Sequence, residues 1–290
     1  MIAGVELGGT KCVAILGDGP DRIVARQSVP TTSPVATLAA LDAVLDVWKE
    51  KFAAIGIATF GPVDLDPSSN DHGMIVGTAK PGWDGTRLLA HFAERYGVPT
   101  AIQTDVVGAA LAEGRWGAAR GLADHVYITI GTGVGVGVIA GGRPVGGVTH
   151  GEAGHLRIAR SPGDSFAGGC TFHGDCVEGL IAGPALALRA GRPGAEIKDD
   201  DPVWAAFAHD LGGLLHNLVV TLAPRRIAIG GGVMAVRPAL FAPIRAALAK
   251  SLGGYGLFAR YAAELEARIG PPGLGVMAGP LGAIAVGLEA

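Results

Sequence analysis

The chain has 290 residues, 49% hydrophobic and 17% charged, with a net charge of −3. That is enough apolar material for two domains or one large one, and the absence of a basic block argues against nucleic acid as the main partner. No run of about 18 apolar residues lacks a polar or glycine break, and no basic-then-apolar segment follows Met1, so a membrane span and a secretory leader are not expected and a cytoplasmic location is.

The opening reads as three strands: Ile2 to Leu7, Lys11 to Leu16 and Ile23 to Ser28, the first two joined by Gly8-Gly9-Thr10. Helical periodicity follows from Pro34 to about Phe52, with Leu38, Leu41, Val44, Leu45 and Trp48 on one face and Ser33-Pro34 as a start signal. Ala54 to Thr59 reads as a buried strand, Phe60 to Trp83 as a long irregular loop, Thr86 to Tyr96 as a helix, and Thr100 to Thr104 as a strand. Asp105 stands where that strand ends and a helix to about Trp116 begins. Strands at His125–Ile130 and Val134–Ile139 flank Gly131-Thr132-Gly133. Helices are expected at Glu178–Arg189, Val203–Leu222, Pro238–Ser251 and about Met277–Leu288, and a strand at Arg226–Ile229 runs into Gly230-Gly231-Gly232. Alternating strands and helices indicate an α/β fold. The strand–glycine turn–strand pattern occurs twice, which predicts a duplicated, two-lobed chain with a cleft between the lobes.

Two of the three cysteines lie in Cys170-Thr171-Phe172-His173-Gly174-Asp175-Cys176, and His155 stands fifteen positions before the first of them. Two thiols and two imidazoles at this spacing form a tetrahedral set suited to a structural zinc ion with no open position. The alternatives are a pair of buried thiols beside unrelated histidines, or a Cys170–Cys176 disulfide. The leftover Cys12 argues against a disulfide framework.

Other candidates are weaker one by one. Gly8, Gly9, Thr10 and Lys11 could wrap an anion with backbone amides, a hydroxyl and a charge, or could form an ordinary hairpin turn. Gly131, Thr132 and Gly133 have the same dual reading. They are not followed by the Gly-Lys-Ser/Thr of a Walker loop, nor by the helix of a dinucleotide site. Gly230, Gly231 and Gly232 could meet a nucleotide or serve close helix–strand packing. Glu152 and Glu178 flank the cysteine-rich loop and, with Asp105, could hold hydroxyls by charge-assisted bonds. Glu178 could instead favour a helix start, and Glu152 could be a surface acid.

The order of these signals closely resembles the ROK family of bacterial sugar kinases across nearly the whole chain. Thr78-Ala79-Lys80-Pro81-Gly82-Trp83, the Cys-x2-His-x2-Cys run and Glu6 resemble its fructokinase branch. The resemblance implies a two-lobed actin-like ATPase (ribonuclease H-like) fold with an interlobe cleft. A small lobe would span residues 1–105 with the C-terminal helix, about 277–290, and a large lobe 106–276. It implies ATP-dependent phosphorylation of fructose, with glucose, mannose or an N-acylated hexosamine as alternatives. Asp105 would be the general base. Gly8 to Lys11 and Gly131 to Gly133 would hold phosphates, and Gly230 to Gly232 would line the adenosine side. Gly61, Pro81, Gly82, Thr104, Glu152, His155 and Glu178 would contact the sugar, while His155, Cys170, His173 and Cys176 would hold zinc. Magnesium would accompany ATP, with Glu6 near its water shell, and family habit implies a homodimer.

Val107 departs from the Asn common in the family, Thr104 stands where glucokinases often have Asn, and Ala79 replaces a common Pro. Trp83 reads as a loop anchor rather than a sugar platform. Some family members are transcription regulators with a DNA-binding segment before the first glycine turn. Here that turn starts at Glu6, which favours the kinase reading.

Overall fold

The computed structural model describes all residues, 1–290. The elements in chain order are β1 (Ile2–Leu7), β2 (Lys11–Gly19), β3 (Arg22–Pro30), α1 (Pro34–Trp48), β4 (Ala54–Thr59), α2 (Leu88–Tyr96), β5 (Thr100–Thr104) and α3 (Asp105–Trp116). Then come β6 (His125–Ile130), β7 (Val134–Ala140), β8 (Arg143–Pro144), α4 (Val177–Ile181), α5 (Gly183–Ala190) and α6 (Val203–Leu222). The chain ends with β9 (Arg226–Gly230), α7 (Gly232–Ala235), α8 (Phe241–Leu252), α9 (Phe258–Ala263), α10 (Leu265–Arg268), β10 (Ile269–Gly270) and α11 (Ala278–Gly287).

The chain divides into two compact units. The first comprises Met1–Ala123, Gly137–Gly151 and Gly273–Ala290, and the second Asp124–Val136 and Glu152–Pro272. The sequence reading ended the first lobe at residue 105, but α3 stays with the first unit, where it packs against α11 and β4.

The first sheet has strand order β3-β2-β1-β4-β5. The β1–β2 and β2–β3 pairs are antiparallel, whereas β1–β4 and β4–β5 are parallel. β4 is buried throughout, as a central parallel strand with covered faces should be, so it reads as an unbroken apolar run. The second sheet has order β10-β9-β6-β7-β8. Written from its other edge, that is the same order as the first: third, second and first strand, then fourth and fifth. The duplication visible in the two glycine turns therefore extends to the topology of both sheets.

Local chemistry explains most boundaries. The Ser33 hydroxyl accepts from Ala36 N at 3.4 Å, Pro34 opens α1, and Leu38, Leu41, Val44, Leu45 and Trp48 form its buried face. The helix stops at Trp48, short of the expected Phe52. The single helix expected over Glu178–Arg189 is two, because Ala182 is extended (φ −62°, ψ 154°) and Pro184 follows. In a continuous helix the Pro184 ring would clash with the carbonyl of residue 180.

Two devices fix the C-terminal segment in the first unit. At Gly56, a Cβ would lie 1.9 Å from the Ala283 carbonyl oxygen, so only glycine lets α11 press this closely onto β4. Glu113, fully buried near the end of α3, accepts from Ala118 N at 2.6 Å, Gly273 N at 2.8 Å and Leu274 N at 2.9 Å. Replacing Glu113 with Ala takes the acceptor from three backbone amides at once. We expect a loss on the order of 3 kcal/mol or more, measured by denaturant unfolding, and a smaller loss for Glu113→Gln, which keeps one acceptor oxygen.

Candidate active site

In the first unit, strand register does the positioning. Leu7 pairs with Thr59, and Thr59 with Thr104, so β1, β4 and β5 end level with one another. The segments that leave those ends are the Gly8-Gly9-Thr10 turn, Phe60-Gly61 and Asp105. The sequence treated these as separate signals, and the sheet brings them to one edge, the carboxyl edge where open α/β sheets bind ligands.

The glycine turn is held from behind by its carbonyls. The Thr31 hydroxyl donates to Gly8 O at 2.8 Å, Thr31 N donates to Thr10 O at 3.0 Å, and the Lys80 ammonium donates to Gly9 O. Carbonyl dipoles engaged in this way are kept from an approaching anion. Lys80 also ties the exposed Pro81-Gly82 tip to this turn, and the Thr78 hydroxyl donates to Gly61 O at 3.2 Å. Trp83 is fully buried, with its indole N–H on Thr32 O at 2.9 Å and its ring edge-on to Phe60. It is the anchor of this loop, as expected. His150, which sequence reasoning passed over, is buried and accepts from Val63 N at 3.1 Å, steadying the segment after Gly61-Pro62.

Thr104 caps α3, its hydroxyl accepting from Val107 N at 3.3 Å in a buried setting. That bond turns the hydroxyl toward the helix. The half-buried Asp105 is the first residue of α3, and one carboxylate oxygen accepts from Val106 N at 2.9 Å. Its field reaches Glu6 at the end of β1. Burial, then the negative charge of Asp105, pushes the Glu6 carboxyl from 4.5 up to about 7, against the opposing pull of Lys11 and Arg26.

In the second unit, β6 and β9 run parallel with Thr129 opposite Gly230. Gly131-Thr132-Gly133 and Gly231-Gly232 therefore leave neighbouring strand ends. The first turn is closed by Gly131 N donating to Gly133 O at 2.9 Å and is braced by Gly183 N donating to Gly131 O at 2.8 Å. The Glu178 carboxylate accepts from Val134 N at 3.1 Å, so helix α4 is locked to the same turn. Glu152 is exposed at the start of a tight 3-10 turn, and its carbonyl accepts from His155 N at 2.9 Å.

The four expected metal ligands converge. His155 Nδ1 lies 3.4 Å from Cys176 Sγ and 3.7 Å from Cys170 Sγ, and His173 Nδ1 lies 3.8 Å from Cys170 Sγ. All four donor atoms fall within 4.8 Å of one another. Tetrahedral zinc with bonds of about 2.3 Å to sulfur and 2.0–2.1 Å to nitrogen separates its ligands by roughly 3.4–3.8 Å, so the donor set fits the ion. The cysteines are free thiols, and the disulfide alternative is not formed. Burial pushes the Cys176 thiol up to about 11, which a bound cation would reverse. His155 Nε2 faces away from the thiols and lies 4.0 Å from Glu178 Oε1.

The same unit holds a cavity of ≈ 220 Å³ lined by Gly183, Leu186, Ile197, Trp204, Gly232 and Arg237, among others. Arg237 stacks on Trp204 at 4.2 Å from the ring centroid and donates to Ile197 O at 2.9 Å. Of these lining residues only Gly232 was a sequence candidate. Trp204 and Arg237 lie 33 residues apart in the chain, and no local pattern links them.

A model of the ROK family matches residues 2–289. This chain belongs to the ROK family. It is 39% identical over 284 residues to a fructokinase of Pediococcus pentosaceus, covering 98% of this chain and 96% of the relative. Among solved structures it resembles a ROK hexokinase from Thermus thermophilus, with a TM-score of 0.79 and 30% identity over 99% of this chain and 98% of that one. A ROK glucokinase from Streptomyces griseus in complex with glucose and AMPPNP superposes with a TM-score of 0.75 and 27% identity, covering 100% of this chain and 99% of that one. The fold is accordingly the α/β, actin-like ATPase class of ROK kinases. No helix is long and apolar enough to cross a membrane.

Two outcomes follow for this ROK protein. Cys170→Ser should lower zinc content and melting temperature together, read by metal analysis and calorimetry. Glu6 should make stability depend on pH. Its proton is held more tightly in the folded state between pH 4.5 and about 7, so stability falls as pH rises through that window. In the ligand-free protein, Glu6→Gln should match wild type near pH 4.5 and exceed it above pH 7 by on the order of 2–3 kcal/mol in denaturant unfolding.

Proposed function

We propose that this chain is an ATP-dependent fructokinase, transferring the γ-phosphoryl group of ATP to D-fructose to give fructose 6-phosphate. The observation that carries the reading is the level ending of β1, β4 and β5, which sets an acid, Asp105, in line with a glycine turn whose carbonyls are held back. The 39% identity to a fructokinase over nearly the full length supports fructose, whereas the glucose-bound relative is 27% identical. Glu6 and the Lys80-Pro81-Gly82-Trp83 loop point the same way.

In this reading Asp105 takes the proton of the sugar hydroxyl as its oxygen attacks the γ-phosphorus. The bond from that phosphorus to the β–γ bridging oxygen breaks, and ADP leaves. General-base assistance accounts for ~10²–10⁴-fold of the rate, and most of the remainder comes from positioning and neutralised charge. Gly8, Gly9, Thr10 and Lys11 serve phosphates in the first unit, and Gly131, Thr132 and Gly133 do so in the second. Gly230 to Gly232 belong to the adenosine side, with Trp204 and Arg237 as apolar and cationic lining. Magnesium bound with the nucleotide supplies charge neutralisation.

Glu152, His155 and Glu178 act as partners of sugar hydroxyls, and Gly61, Pro81, Gly82 and Thr104 line the sugar side. The backbone of Gly61 is the available contact there, and the Thr104 hydroxyl is available only by sharing its cap bond. Zinc held by His155, Cys170, His173 and Cys176 fixes the tautomer and aim of His155, leaving Nε2 for a hydroxyl. A homodimer is retained on family habit alone.

A coupled ADP-release assay over fructose, glucose, mannose and N-acetylmannosamine tests the substrate. The highest kcat/KM should fall on fructose, and a higher value for any other sugar replaces fructose with that sugar. Asp105→Ala should fold and bind both substrates but lose at least ~10²-fold in kcat. Near wild-type turnover would remove Asp105 from its role.

A further inference from the structure

The Glu6 side chain lies against the first turn of α11. A Cβ placed on Gly279 would sit 2.0 Å from Glu6 Oε1, 2.7 Å from its Cδ and 3.2 Å from its Oε2. The Glu6 Cδ and Oε1 thus occupy the space that any side chain at position 279 would need, and Oε2 borders it. Gly279 is the second residue of a ten-residue helix, where alanine would otherwise be favoured by propensity. The negative charge of Asp105 acts on the same carboxyl.

From this geometry we infer that Gly279 is a positioning residue: its missing Cβ is the recess that holds the Glu6 carboxyl at the end of β1, beside Asp105. Glu6 cannot withdraw far along its own strand. Its backbone pairs with Val13 on one side and Ala58 on the other, and only the side chain can yield. Filling the recess with a methyl group therefore displaces the carboxyl from its place at the end of β1. The same reasoning gives the remedy. Aspartate is one methylene shorter than glutamate, so Glu6→Asp withdraws the carboxyl from the space that a methyl group at position 279 would take.

The catalytic part of this inference rests on the proposed reading of Asp105 in phosphoryl transfer, whereas the steric part does not. The test is a four-member set: wild type, Glu6→Asp, Gly279→Ala and the double variant. Each is measured for melting temperature, kcat, and KM for fructose. Gly279→Ala should melt below wild type despite the gain in helix propensity, and should lower kcat by ~10–100-fold with the fructose KM little changed. Adding Glu6→Asp to it should recover melting temperature and part of kcat, so that the two changes are not additive.

A Gly279→Ala protein that melts at or above wild type, or a double variant no better than Gly279→Ala, overturns the inference. If Gly279→Ala fails to fold, recovery of a folded double variant supports it, and failure of both overturns it. Should the wild type phosphorylate no sugar, the melting temperatures still decide the steric claim, while the functional reading falls by itself.

Discussion

The arrangement of this molecule depends on parallel strand pairs that end level. In the first sheet, Leu7, Thr59 and Thr104 lie in one cross-strand row. Three segments far apart in the chain are thereby delivered to one edge without any side chain having to reach. A shift of one residue in the β4–β5 register would turn Asp105 from one face to the other, because strand side chains alternate. Gly56 in β4 guards against a shift of that strand, since any side chain moved into its place would meet the Ala283 carbonyl oxygen. Alignment of the acid with the glycine turn is in this sense a by-product of core packing.

The second unit reaches a comparable result by a different route. Its β6–β9 pair sets two glycine segments side by side, but the turn at residues 131–133 is braced from α4 and α5. The same stretch of chain begins at Cys176, one of the four converging ligands. The donor cluster, the Glu178 carboxylate and the Gly131-Thr132-Gly133 turn are consecutive links in one short chain of contacts. Ion pairs tie the loop down: the buried Asp210 and the half-buried Asp164 both pair with Arg189, Asp164 pairs also with Arg160, and Arg157 and Arg160 both pair with Asp175 inside the loop. Such pairs favour a particular geometry more than they add stability.

Much of this was legible in the sequence. β1, β4, β5, β6 and α6 fall where periodicity and turn residues put them, and the spacing pointed to the four donor residues that the fold brings together. What escaped notice has physical causes. The break between α4 and α5 was signalled by Gly183-Pro184 and overridden by the helical pattern on either side. α9, α10, β8 and β10 are too short to show a period. Glu113 looked like an ordinary helical acid because the Gly273 and Leu274 amides it accepts from are about 160 positions away in the chain. Trp204 and Arg237 meet only once α6 and α7 have been placed. Short-range chemistry writes itself into sequence, whereas contacts made by folding do not.

The return of the last 18 residues, Gly273–Ala290, to the first unit has a consequence for how the protein is made. On the ribosome, Asp124–Val136 and the long stretch up to Pro272 are complete before α11 emerges. The sheet that receives α11 must wait with an uncovered apolar face, although its strands were synthesised first. N-terminal-first folding during translation is thus denied to this half of the molecule. A premature stop near the end of the message would remove few residues yet leave the earliest part of the protein without the helix that covers its sheet.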